Sequence, residues 1–118
     1  MDAAAASGWL ALAAVLASSS LYAVNRLATP LSKGYMRLHC LAGFASVAFT
    51  TIHAAYSFES LAGDWGGLTN LGLVLVIAGS GTLLRYVPDA GPYRFHSATL
   101  HPALALALLV SLLFHVLG

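Results

Sequence analysis

RLHCLAGFASVAFTTIHA, residues 37–54, is an apolar run with His39 near one end and His53 near the other, with thirteen residues between them. A second run, TLHPALALALLVSLLFHV at residues 99–116, sets His101 and His115 at the same spacing. At about 100° per residue, a step of fourteen returns to nearly the same helix face about 21 Å further along the axis. Each run, read as a helix, therefore presents two imidazoles on one stripe, one near each end of an apolar span. The chain does this twice.

Composition says where such helices reside. Of the 118 residues, 59% are hydrophobic and 8% are charged, too few charges to cover the core of a soluble domain of this size. An integral membrane protein has no such need. The single cysteine, Cys40, excludes an internal disulfide, a CxxC motif and covalent c-type haem attachment. A net charge of +1 carries no signal for nucleic acid, so none is expected as a partner.

Four apolar segments, about 8–26, 36–58, 69–87 and 97–117, are long enough to cross a hydrocarbon layer of ~30 Å. The connections, Asn25 to Lys33, Glu59 to Gly67 and Pro88 to Arg94, are rich in turn-forming residues. Connections this short predict an all-α, up-down-up-down four-helix membrane bundle forming one domain. The first segment lacks the basic flank of a signal peptide and is expected to be retained as a span. Its small residues (Ala13, Ala14, Ala17, Ser18, Ser20) permit close approach of a neighbour or a flat cofactor. All five Lys and Arg residues border the first connection (Arg26, Lys33, Arg37) or the third (Arg85, Arg94). The positive-inside rule then puts connections one and three in the cytoplasm and both termini outside. Ser97 or Thr99 is the expected cap of the fourth helix, which would bring Pro102 into or just after its first turn.

With this topology the second and fourth helices run parallel. His39 and His101 share the cytoplasmic side, and His53 and His115 the outer side. Neutral imidazole suits haem iron as an axial ligand, and apolar helices suit the porphyrin faces. The pattern thus predicts two stacked, non-covalent, bis-histidine haems b, with His39 and His101 on the inner iron and His53 and His115 on the outer. Zinc or copper fits less well, because histidines about 21 Å apart on a helix cannot converge on one ion. Purely structural histidines, hydrogen-bonding across a bundle, are the bland alternative.

The two histidine-bearing runs resemble the haem-binding helices of membrane di-haem b-type cytochromes. The nearest pattern is the N-terminal four-helix bundle of the cytochrome b subunit of bc-type quinol oxidoreductases, where the second and fourth helices each carry two ligands about fourteen positions apart. The haem domains of ferric reductases and NADPH oxidases are more distantly similar. The resemblance spans all four helices, but its specific content is the four histidines. The chain lacks the later helices and the Pro-Glu-Trp-Tyr loop of quinol-oxidising cytochrome b, and any flavin or nicotinamide domain. The family's bundle has glycines fourteen apart on neighbouring helices where porphyrins approach. Here Gly67 and Gly81 have that spacing, with Gly67 at the loop border, while Gly8 pairs with Tyr22 and does not match. Gly43, Gly72, Gly79 and Gly81 are the better candidates for close haem contact, against ordinary small-residue packing.

Arg37 and Arg94, with Lys33, Arg85 and Tyr93 nearby, are candidates to meet anionic propionates of the inner haem, if they do more than orient the chain. Near the outer haem stand Tyr56, Ser57, Trp65 and Asn70 and no Lys or Arg, so the inner haem is expected to have the higher potential. His96 lies about 140° from the His101 face, an interfacial histidine with a propionate or quinone contact as the sharper alternative. Cys40 is read as a small buried hydrophobe, and the Tyr and Trp residues near span ends as interface anchors. The expected function is electron transfer across a membrane, in a prokaryotic cytoplasmic membrane, with quinone or redox-protein partners, the chain acting alone or within a larger complex or homo-oligomer. With both irons doubly ligated, oxygen chemistry is disfavoured. The alternatives are a self-contained oxidoreductase for quinone, ferric chelates or ascorbate radical, and a haem-free scaffold or metal permease.

Overall fold

Residues 1–28 and 34–118 are described by a computed structural model, and among them every regular element is helical. The elements are α1 (Ala3–Leu27), α2 (Tyr35–Tyr56), α3 (Phe58–Leu61), α4 (Trp65–Tyr86) and α5 (Pro92–Leu117). Helices α1, α2, α4 and α5 are each long and apolar enough to cross a membrane. The four expected spans are all present, and their limits differ for local reasons.

Helix α1 begins five residues before its expected start, because Asp2 caps it by accepting a hydrogen bond from the Ala5 amide (2.7 Å). Helix α4 likewise begins at Trp65, where Asp64 accepts from the Gly67 amide (3.0 Å). Gly67 is thereby helical, and the rest of the second connection contains the single turn α3. Helix α5 shifts by as much as α1. Its start is set by Gly91, whose φ of +56° suits glycine, followed by Pro92 with its φ already helical. Neither Ser97 nor Thr99 is the cap, and Pro102 lies inside the helix, where it removes the amide that would bond the Ala98 carbonyl.

The chain divides into two compact units, Met1–Ser57 and Phe58–Gly118. Each is built on one antiparallel helical hairpin, α1 with α2 in the first and α4 with α5 in the second. In each hairpin His39 or His101 lies toward the turn, and His53 or His115 toward the open end. The turn end carries Arg26 and Arg37 in the first hairpin and Arg85 and Arg94 in the second; Lys33 lies outside the described residues.

Large apolar side chains in mid-helix, among them Leu16, Leu41, Phe44, Leu75, Val76 and Leu106, are exposed, while Ala11, Val15, Val74 and Leu108 are buried. An outer surface of this kind is compatible with hydrocarbon and unfavourable in water. The hydroxyls of Ser7, Thr51, Thr82 and Thr99 donate to carbonyls one turn back, which satisfies them inside their own helices.

Candidate cofactor site

The four histidines are held by the neighbouring helix of their own hairpin. At the turn end of the first hairpin, His39 Nδ1 lies 3.0 Å from the Ser18 carbonyl and 3.1 Å from Ser18 Oγ. At the turn end of the second, His101 Nδ1 lies 3.1 Å from the Ile77 carbonyl and 2.9 Å from Ser80 Oγ. At the open end of the first, His53 Nδ1 is 2.8 Å from the Ala4 carbonyl. A carbonyl oxygen can only accept, so Nδ1 of these three rings carries the proton and donates it. The serine hydroxyls agree. Ser18 Oγ donates to the His39 carbonyl (3.2 Å) and Ser80 Oγ to the Ile77 carbonyl (2.8 Å), so each accepts from the imidazole. With the proton on Nδ1, the basic lone pair is on Nε2, the tautomer in which histidine ligates a metal through Nε2.

The fourth histidine is held differently. His115 Nδ1 faces Asp64 Oδ2 at 3.8 Å, an ion-pair distance rather than a hydrogen bond. It is exposed, whereas His39, His53 and His101 are half-buried.

Ser18, His39 and His53 recur 62 positions later as Ser80, His101 and His115, and the capping residues Asp2 and Asp64 keep the same offset. In the first hairpin the anchoring residues 4 and 18 are fourteen apart on α1, as are His53 and His39 on α2. In the second, positions 66 and 80 on α4 stand in the same relation to His115 and His101. The two hairpins are structural repeats with a common register.

Glycines make room for two of the rings. A Cβ on Gly81 would sit 2.9 Å from His101 Cε1, and a Cβ on Gly8 would sit 3.0 Å from His53 Cε1. The first contact is closer than carbon atoms tolerate and the second is tighter than nearly all real ones, so each glycine is a recess for an imidazole. Gly8, set aside on spacing, therefore belongs to the site. Of the other glycines named from sequence, a Cβ on Gly43 would stand 3.9 Å from Ser18 Oγ, and at Gly72 and Gly79 it would meet nothing within 4 Å.

The charged and polar candidates sort as follows. Arg94 Nη1 donates to the Leu84 carbonyl (2.7 Å) near the C-terminus of α4, which leaves further guanidinium donors for an anion. Arg37, Arg85, Tyr93, Tyr56 and Trp65 are exposed. His96 is also exposed and stands edge-on to Phe95, with ring centroids 5.7 Å apart. Cys40 is half-buried rather than buried. Tyr22 lies beside His39, with centroids 6.4 Å apart. Asn70 is only 5% exposed, and neither its Oδ1 nor its Nδ2 has a hydrogen-bond partner. It occupies the repeat position of Gly8, 62 residues on.

Sequence reading missed the roles of Ser18, Ser80 and Asp64 and of the Ala4 carbonyl. Superposing the two halves at the 62-residue offset would have exposed the first three, since Asp, Ser, His and His then coincide. The Ala4 carbonyl has no sequence signature.

Among the described residues, no three His, Cys, Asp or Glu side chains gather into a chelating cluster. A haem asks for less, because the porphyrin supplies four nitrogens and the protein one imidazole per face. Three of the four histidines suit that demand, with Nδ1 anchored to a backbone carbonyl and glycines beside two of the rings. Comparison with protein-family models, curated proteins and solved structures gives no match. The likeness to di-haem b-type cytochromes therefore rests on the four histidines and the four spans alone.

Proposed function

We propose that the protein carries electrons across a membrane through two bis-histidine haems b, one bound by His39 and His101 and the other by His53 and His115. The observation that carries this reading is the repeated anchoring of Nδ1. Three imidazoles on separate helix turns donate that proton to a neighbouring helix, the tautomer whose Nε2 could serve an iron. The same hydrogen bonds would also satisfy a purely structural histidine, and it is their recurrence at His39 and His101, within the fourteen-residue spacing of both hairpins, that favours a cofactor.

Haem, when bound, supplies a one-electron couple, and the chain supplies everything around it. His39 and His101 come from the turn ends, where Arg37 and Arg94 offer donors to propionates. His53 and His115 come from the open ends, where the nearby charges are acidic. With connections one and three in the cytoplasm, the two pairs lie toward opposite membrane faces. With two imidazoles offered to each iron, the site would favour electron passage over oxygen binding. The donor and acceptor are then a quinol or a redox protein on either side.

A reduced-minus-oxidised spectrum with haem quantification on the purified full chain tests this. Two haems b per chain are expected. Absence of b-type bands from protein expressed with ample haem would refute the reading.

A further inference from the structure

The open ends of the two repeats use the same residue for different purposes. Asp2 and Asp64 hold equivalent N-cap positions and each accepts from the amide three residues on. In the first hairpin the nearby histidine turns to the backbone instead, His53 donating to the Ala4 carbonyl at 2.8 Å. In the second, the residue equivalent to Ala4 is Gly66, and His115 Nδ1 faces the second oxygen of the Asp64 carboxylate at 3.8 Å. A Cβ at Gly66 would stand 3.2 Å from Asp64 Oδ1 and 3.5 Å from His115 Nδ1. The missing side chain thus keeps the space between carboxylate and imidazole clear.

We propose that Asp64 is a positioning residue for His115 and that, through it, the haem of the His53–His115 pair is held at a lower reduction potential than its backbone-anchored mate. The proposal rests on the di-haem reading. A carboxylate facing Nδ1 favours the proton on that nitrogen, orients the ring and would raise electron density on Nε2 more than a neutral carbonyl does. Density pushed toward the iron stabilises its more positive, oxidised form, and the negative charge of Asp64 acts in the same direction. The carboxylate does this without giving up its cap, because one oxygen serves Gly67 and the other faces His115.

The test is a spectroelectrochemical titration of the full-length di-haem protein in detergent, the haem of interest being identified as the one lost in His53→Ala. Asp64→Asn keeps a capping oxygen and removes the charge. It is expected to raise that haem's potential so that its reduced-to-oxidised ratio at fixed potential rises about tenfold, or about 59 mV for one electron, with the other haem unmoved. Asp64→Glu should stay near wild type, and Asp2→Asn should shift neither haem. Gly66→Ala, which leaves the carboxylate and its cap in place but intrudes on the contact, should move the same haem in the same direction. It also serves as the reading if the Asn variant fails to accumulate. An unmoved potential in both Asp64→Asn and Gly66→Ala, or an equal shift in Asp2→Asn, overturns the proposal. A wild-type protein without haem would instead overturn the reading beneath it, so the two failures are told apart at the first spectrum.

Discussion

The two hairpins agree at their turn ends and part company at their open ends. His39 and His101 each meet a serine 21 positions earlier and a backbone carbonyl. At the open ends, by contrast, one histidine is tied to a backbone carbonyl and recessed against Gly8, while the other faces a carboxylate and follows a helix that buries Asn70. Glycine recesses are distributed unevenly too, beside the open-end ring in the first hairpin and the turn-end ring in the second. A repeated scaffold has thus kept the positions of four imidazoles while the contacts around them diverged. Placement of the imidazoles depends on helix register, which the two hairpins share. The contacts around each imidazole depend on single side chains, which need not match.

The largest expected effect comes from removing a ligand. Under the proposed pairing, His53→Ala and His115→Ala each lose the same haem, and His39→Ala and His101→Ala the other. Haem quantification with difference spectra should find one haem per chain in each variant. Loss of different haems from the two members of a pair would break the correspondence between hairpins.

Filling the recesses comes next. Gly81→Ala and Gly8→Ala place a methyl 2.9 and 3.0 Å from an imidazole carbon and should displace the ring. Haem retention at the affected position is expected to fall by about 10- to 100-fold, read as transfer to an apo-acceptor protein. Gly72→Ala, which meets nothing within 4 Å, serves as the control and should match wild type. Equal tolerance at all three positions would remove the recess from the account.

Asn70 separates the hairpins more gently. A buried amide without partners costs about 1–3 kcal/mol. Asn70→Leu should therefore stabilise protein prepared without haem by an amount in that range, measured by denaturant titration in detergent micelles. If the variant is instead destabilised, the amide is satisfied by something bound even in that preparation.

The smallest effects probe where the hairpins agree. Ser18→Ala and Ser80→Ala each remove one hydrogen bond to an imidazole that keeps a backbone acceptor, so about 1 kcal/mol is expected from each. The two should have equal effects on the haem dissociation rate at the turn ends. A several-fold larger effect of one would show that the matching contacts are not equivalent.

Much of the fold was legible in the residues. Four apolar runs broken by Pro, Gly, Asn and Asp leave few alternatives to four membrane-length helices, because an unpaired backbone is intolerable in hydrocarbon. The helix limits were less legible. Asp2 and Asp64 each extended a helix by a turn through a cap that hydropathy does not register, and Gly91-Pro92 began α5 well before its apolar stretch. The four histidines announced themselves by spacing. Their anchors did not, since Ala4 and Ile77 contribute backbone oxygens and Gly8 contributes only the absence of a side chain.

The sequence by itself determined the helical spans, the two histidine stripes and the placement of every basic residue at two of the three connections. These follow from local hydropathy and the constant rise of a helix, which need no knowledge of neighbours. Only the tertiary structure decided which nitrogen of each of three imidazoles holds the proton, which glycines make room for the rings, and that Asp64 rather than Asp2 faces a histidine. Those outcomes depend on how one helix slides and turns against the next, and a shift of a single residue would replace each contact with another.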